Sequence, residues 1–416
     1  MIYNIQDKPP IGKLIAFALQ MLLSVFVATA LIAQICGVPM SGALVGAGAA
    51  TLVYILVTKG KSPMFISNSG AFVAPVMLAL AAGGYTAVAI GGLTTCIVYC
   101  IFGFIFSKVP VDNIYKVFPK ALIGAITVVI GINLMPFILT YVQINGEANM
   151  WGVSVALLTT FVIAIISHYA KGMWKILPFL VGIMVGYIYA LILTVTGIYP
   201  IIDFSIFEGM KLFHAPTFAF MLAEPINWSI IASIIFVYIA YTVSAMMECL
   251  SDHAALGNII GVDLYRSPGL SRIFCAEGLA NLASSALGGL GACSYGEGVA
   301  CVGFSKVASV WVTGLAAIFL ALLGFLDPVQ LFIASIPSCV FAGAAIVLYG
   351  FIACSGIKML QTINLNVQKN LIIVSSVLSL GISGLVVSGT AFSLSATALA
   401  LSLIHISEPT RPRLIS

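Results

Sequence analysis

Charge is what this chain has least of: Asp, Glu, Lys and Arg make up 7% of its 416 residues, where soluble domains carry about 25%. A surface that poor in charge excludes a water-soluble globular domain. Paired cysteines are missing too. The nine cysteines show no metal-ligand spacing and sit mostly inside apolar stretches, as Cys96, Cys100, Cys249, Cys275, Cys301, Cys339 and Cys354 do. They read as small packing residues, and neither a disulfide framework nor a metal or other cofactor is expected. Hydrolase elbow, phosphate loop and nucleotide fingerprint are absent, which excludes the common enzyme classes. The alternating ten-residue strands of an outer-membrane barrel are absent as well.

What the chain has instead is apolar sequence, 61% of its residues, together with 39 glycines. Apolar runs fall near residues 12–36, 42–58, 64–83, 85–107, 116–140, 150–168, 174–198, 228–250, 270–289, 293–305, 307–326, 331–356, 369–387 and 389–400. Runs of about 20 residues suit helices crossing about 30 Å of hydrocarbon, so the fold class expected is an all-α polytopic membrane protein of about fourteen segments. The first run is too long for a signal sequence and lacks a small-residue cleavage site, so it is expected to be a retained helix. Residues 401–416 read as the translation of a sequencing adapter, foreign to the natural chain and cutting short the last helix.

Charge placement tests the count. With the N-terminus inside, Lys8, Lys13, Lys59, Lys61, Lys108, Lys116, Lys120, Lys171, Lys175, Arg266, Arg272, Lys306, Lys358 and Lys369 all fall on the inner side. Lys211 alone falls outside, and Arg411 and Arg413 belong to the terminal stretch. Basic residues collect in cytoplasmic loops, and one miscounted helix would invert this bias downstream of it. The net charge of +4 therefore reflects orientation, and no nucleic-acid partner is expected.

Two runs depart from plain crossings. Residues 67–76 and 294–302 carry Gly and polar residues where a lipid-spanning helix would be aliphatic, and both are expected to be broken, extended first and helical after. They are third and tenth in the count, an odd offset of seven, which makes the second copy inverted. Interrupted segments at equivalent places in two inverted halves point to a midplane binding site. Residues 199–227 form a long outer loop holding Asp203, Glu208, Lys211, His214 and Glu224, expected to contain an interfacial helix or cap. His168 reads as a helix-end residue.

Three carboxylates lie in this otherwise uncharged sequence: Glu248, Asp252 and Glu297. A charge at bilayer depth costs roughly 2.5 kcal/mol or more, so a chain that keeps three is expected to set them in a water- or substrate-filled cavity. Glu248 and Asp252, four apart, share a helix face at about 6 Å, and two carboxylates that close do not both ionise easily. The bland reading ends the helix at the water interface with Asp252-His253. Glu297 precedes a half-helix whose N-terminus favours anions and hydrogen-bond acceptors, unless it merely caps it. Glu277 reads as a helix-end or supporting residue, while Gln20 and Tyr295 serve either the site or helix packing.

Taken together, Asp7-Lys8-Pro9-Pro10, Gln20, Ala28-Thr29, Met247-Glu248, Asp252-His253-Ala254-Ala255-Leu256, Ser267-Pro268-Gly269-Leu270, Tyr295-Gly296-Glu297 and Leu348-Tyr349-Gly350 resemble the nucleobase/ascorbate transporter family, and most closely its bacterial uracil permease branch. The resemblance covers nearly the whole chain. It implies two inverted seven-segment repeats and two bodies. A core domain would be built from residues 1–110 and 228–327, a gate domain from 111–199 and 328–400, with the outer loop at 200–227. Glu248 and Glu297 would hydrogen-bond the polar edge of a base, with Gly70, Ala71, Gly296 and Tyr295 lining it, and Asp252 with Glu248 would couple protons. The implied activity is proton-coupled import of uracil, with xanthine or another purine second. The implied partners are a nucleobase, protons, membrane lipid and a second copy joined through the gate. The implied location is the cytoplasmic membrane, N-terminus inside. Departures from the family pattern stand at Met21, Gly70, Cys249, Ser251, Gly298 and Ser305-Lys306. An anion transporter of similar architecture would want a cation at the half-helix ends, whereas this site is acidic.

Overall fold

A computed structural model describes residues 1–108, 119–144, 147–171, 178–222, 224–225, 228–383, 386–388 and 393–395. Helices α1 (Ile11–Cys36) and α2 (Met40–Val57) open the chain. Gly37, in the left-handed region at φ 66°, closes α1 by donating to the Ala33 and Gln34 carbonyls, and Pro39 then forbids its continuation. Strand β1 (Ile66–Asn68) and a single 3-10 turn lead into α3 (Val73–Lys108). This helix holds the third and fourth runs in one element, bent back at Gly83 and Gly84. At Gly84 the backbone turns through φ 59°, a left-handed conformation that favours glycine.

The fifth run divides at Pro136 into α4 (Lys120–Leu134) and α5 (Pro136–Val142), followed by the hairpin of β2 (Gln143–Ile144) and β3 (Glu147–Ala148). Then come α6 (Met150–Tyr169), α7 (Pro178–Val195) and α8 (Trp228–Ile260). The second half continues with α9 (Leu270–Ala286), β4 (Ala292–Ser294), α10 (Gly296–Ser305) and α11 (Val310–Leu323). It ends with α12 (Asp327–Ser335), α13 (Ser338–Leu360) and α14 (Gln368–Ile382). Seven of the described helices are long and apolar enough to cross a membrane, and α11, α14 and part of α4 are shorter apolar helices.

The structure decides between two pairs of alternatives and corrects one expectation. Helix α8 does not end at Asp252-His253 but runs to Ile260, two turns further; the polar cluster is inside the helix, and His253 is buried. The outer loop holds two 3-10 turns, Phe204–Phe207 and Ala219–Met221, and no longer helix among the described residues. It takes the other form expected, a cap, through Thr217 N–H to Ser41 Oγ at 3.0 Å and Lys211 N–H to Asp327 Oδ2 at 3.0 Å. In the run expected as the last crossing, Ser393–Ser395 forms strand β6 paired antiparallel with β5 (Val386–Ser388). The rest of that run and residues 401–416 lie outside the described residues.

Most of the helix packing falls into two groups of contacts, bridged by smaller ones between α4 and α8 and between α1 and α7. Helix α9 packs on α2, α3 and β4; α2 on α11; α1 on α11 and α10; α3 on α8. Separately, α4 packs on α13 and α14, and α6 on α7 and α13. Since lipid is as apolar as the side chains, such contacts are made by close fit and small residues. Gly48 of α2 shows this: its Cβ would lie 2.5 Å from the Ala317 carbonyl oxygen of α11.

Candidate functional site

The centre of the first set is the antiparallel pair β1 and β4, with Ile66 opposite Ser294, Ser67 opposite Cys293 and Asn68 opposite Ala292. Because the strands run oppositely, the helices that follow them leave in opposite directions, which is the inverted relation expected of the third and tenth segments. Non-helical backbone at this depth must have its polar groups satisfied by protein. Thr51 of α2 does this twice, donating to the Ile66 carbonyl at 2.6 Å and accepting its N–H at 3.0 Å. Asn281 Nδ2 of α9 donates to the Ala292 carbonyl at 3.0 Å. Thr29 of α1 meets Ser67 Oγ at 2.7 Å, and Ser69 N–H reaches the Gly291 carbonyl at 3.0 Å.

The sequence-expected acidic residues gather at the ends of these strands. Ser69 caps the turn at Gly70–Phe72: its hydroxyl accepts the Ala71 N–H at 3.1 Å and donates to Glu248 Oε2 at 3.0 Å. The Glu248 carboxylate of α8 is thereby tied to the unwound backbone at Gly70 and Ala71. One turn on, Asp252 Oδ1 lies 3.9 Å from the place a Cβ on Gly296 would take, so this carboxylate faces the start of α10. Its Oδ2 is buried without a partner among the described residues. Glu297 stands in the first turn of α10, within electrostatic reach of both Glu248 and Asp252. Tyr295 precedes α10 as its N-cap residue, almost fully buried, and its hydroxyl finds no partner among the described residues.

Gly296 is exposed and Gly70 half-buried, whereas Ala71 is buried. Gly298 faces Phe65 and Met21: a Cβ there would lie 3.0 Å from Phe65 Cβ and 3.9 Å from Met21 Sδ. Gln20, half-buried on α1, stands beside Met21. His168 and His214 are exposed and away from this cluster.

Sequence reasoning missed Ser69 as the partner of Glu248. The available signal was a Ser directly before Gly70, the residue type that caps a helix start. It also undervalued Glu277, which is wholly buried in α9 with both carboxyl oxygens unpartnered among the described residues. Cys249, His253 and Glu277 bring one donor atom each to within 4.8 Å of one another. Yet both ring nitrogens of His253 are already engaged, by the Cys249 carbonyl at 2.7 Å and the Tyr54 hydroxyl at 2.6 Å, leaving no lone pair for a metal.

Chemically, the arrangement offers acceptor-only carboxylates beside backbone N–H and C=O groups released by two breaks in helical structure. Such a set is chemically suited to a small planar ligand with N–H donors next to carbonyl acceptors.

A family model described as a permease family matches residues 12–390. The uracil permease of Bacillus caldolyticus is 32% identical, with 99% of this chain and 96% of the relative covered. Among solved structures, the transmembrane domain of a cyanobacterial bicarbonate transporter, BicA, matches with a TM-score of 0.61 at 15% identity, covering 96% of this chain and 99% of that one. The murine anion transporter Slc26a9 in its inward-facing state matches with a TM-score of 0.69 at 10% identity, covering 97% of this chain and 68% of that one. At such identities the two structures bear on the fold alone.

Proposed function

The chain belongs to the permease family matched over residues 12–390, and from that premise we propose that it imports a nucleobase, uracil first, together with protons. The observation that carries this reading is the Glu248 carboxylate held by Ser69 against the break at Gly70. A carboxylate acceptor fixed beside this non-helical turn suits the N–H groups on the alternating N–H and C=O edge of a uracil-like ring. In this reading Glu248 and Glu297 accept from ring N–H groups, while Gly70, Ala71, Gly296 and Tyr295 line the base. Asp252 takes up the proton, with Glu248 as its neighbour on the same helix face. The carboxylates exclude one another's charge, so binding a proton with the substrate relieves the site.

Transport then proceeds by alternating access. The set containing α1, α2, α3 and α8 to α11 is the core domain, and the set containing α4 to α7 and α12 to α14 is the gate against which it moves. The lysine-bearing face, which includes Lys59, Lys61 and Lys306, is cytoplasmic, and the protein sits in the cytoplasmic membrane. A second copy would join through the gate.

The test is uptake of radiolabelled uracil into proteoliposomes with and without an inward proton gradient, for the wild type and Glu297→Gln. Gradient-driven uptake that falls by about tenfold or more in the variant is the expected result. Uptake indifferent to a protonophore would overturn the coupling. Competition by xanthine in place of uracil would leave the transport class and change the substrate, and absence of any nucleobase uptake would overturn the reading.

A further inference from the structure

On the lysine-bearing face, the ends of α1, α2, α10 and α11 carry positive charge that no protein group answers. Ile2 N–H donates to the Lys306 carbonyl at 2.7 Å and Gln6 Nε2 to the Gly60 carbonyl. Residues 2–8 thereby draw Lys8 and Lys13 together with Lys59, Lys61 and Lys306 from distant parts of the chain. All five lysines are exposed, and none forms an ion pair among the described residues. Asp7 is the only acidic residue within residues 1–13, 58–63 and 303–309, and its carboxylate turns back to accept the Asn4 N–H at 2.7 Å.

Directly beside this charge the surface turns apolar. Ser309 Oγ accepts the Trp311 N–H at 3.3 Å and donates to the Asp7 carbonyl at 2.6 Å, which fixes the start of α11 against the residues that lead into α1. Lys8 Nζ lies 5.0 Å from the centre of the Trp311 ring. The two helices pack on each other, and both begin at these first residues. Ile11, Ile15 and Leu19 of α1 are exposed at four-residue spacing, and so are Trp311, Ile318 and Leu322 of α11 at spacings of seven and four, so each set shares one helix face. From Ile11 to Leu19 a helix rises about 12 Å, close to one leaflet of a hydrocarbon layer about 30 Å thick.

We propose that this corner binds one anionic phospholipid of the bilayer, its phosphate between Lys8 and Lys13, its glycerol beside Trp311 and an acyl chain along the exposed stripes of α1 and α11. The match is one of charge and polarity together. A basic cluster above an apolar face complements a molecule with an anionic head and apolar tails. A soluble anion would leave the apolar face unused, and the cation of a zwitterionic head would meet the lysines. An ammonium resting on a Trp ring keeps its outward hydrogens for an anion, and a Trp at this depth sits at the level of the headgroup. The leaflet follows from the orientation proposed above and is the cytoplasmic one; the site itself does not depend on what the permease carries. Bound there, the lipid ties residues 2–8, and through them the approach to β1 and the exit from α10, to the bilayer.

The experiment titrates the purified full chain, in neutral detergent, with phosphatidylglycerol, phosphatidylcholine or inorganic phosphate, and follows thermal melting together with native mass spectra of retained lipid. Wild type is expected to retain phosphatidylglycerol and to melt several degrees higher with it, and to respond little to the other two. Lys8→Gln with Lys13→Gln should need about tenfold more phosphatidylglycerol for the same shift. Lys108→Gln with Lys358→Gln, which removes two exposed charges from α3 and α13, should behave as wild type. The reading is the lipid-dependent shift of each variant against its own lipid-free melting, so an effect on folding alone is separated. Equal losses in the two double variants would mean diffuse attraction to the whole face and overturn the site. Equal stabilisation by phosphatidylcholine overturns the charge match, and equal stabilisation by inorganic phosphate replaces the lipid with a soluble anion. Uracil binding on the same preparation keeps the two readings apart: lipid retention without nucleobase binding defeats the proposed function alone, and the reverse defeats the lipid site alone.

Discussion

Ser69 shows how one small side chain sets the geometry of the acidic site. Its hydroxyl uses its hydrogen on Glu248 Oε2 and a lone pair on the Ala71 N–H, so the carboxylate and the broken backbone are fixed relative to each other. A hydrogen bond to a charged acceptor contributes about 1.5–3 kcal/mol, and 1.4 kcal/mol is tenfold in affinity. Ser69→Ala should therefore weaken nucleobase binding by about tenfold, with Ser69→Thr keeping most of it. Equilibrium binding on the purified protein decides: equal or tighter affinity in Ser69→Ala would show that Glu248 is positioned by something else.

Among the elements, α2 is enclosed on two sides, since α9 packs along one and α11 along another. Gly46 and Gly48 make both approaches possible, with Cβ positions 2.9 Å from the Ser284 carbonyl oxygen and 2.5 Å from the Ala317 carbonyl oxygen. Backbone cannot yield as a flexible side chain can, and overpacking costs about 1–3 kcal/mol. Gly48→Leu should lower the melting temperature and the folded yield in detergent, whereas the same substitution at Gly12, where nothing lies within 4 Å, should not. Equal melting of the two variants would refute the close approach. The sequence made the broken third and tenth segments legible, because Gly and polar residues at bilayer depth contradict a plain helix. It did not make α8 legible to its end, because Ser251-Asp252-His253 has the polarity of a helix terminus. Only Tyr54, 199 positions away, reveals that His253 is satisfied inside the protein. Thr51 was unreadable for the same reason: a threonine that serves the backbone of Ile66 differs from any other helix threonine only by what folds against it.

For the whole molecule, the two inverted halves are joined at the lysine-bearing face by the chain's first residues. Ile2 N–H donates to the Lys306 carbonyl at 2.7 Å, Ala308 N–H to Tyr3 at 2.9 Å and Val310 N–H to Ile5 at 3.0 Å. Ser309 Oγ donates to the Asp7 carbonyl at 2.6 Å, and Gln6 Nε2 to the Gly60 carbonyl at 2.5 Å. Lys8 completes the strap by lying 5.0 Å from the centre of the Trp311 ring. Gly60 belongs to the loop entering the third segment and Lys306 to the residue leaving the tenth, so one strap fixes the approach to β1 against the exit from α10. Each bond contributes about 0.5–1.5 kcal/mol net, and those at the exposed edge less. Removing residues 2–8 should therefore lower the melting temperature by several degrees, while the central carboxylates and their partners, which the strap does not touch, keep their affinity for the base. Thermal melting and equilibrium binding on the same preparation separate these effects. Unchanged melting would mean that β1 and β4 hold the halves together without the strap, and a parallel loss of binding would mean that the strap also sets the spacing of the two breaks.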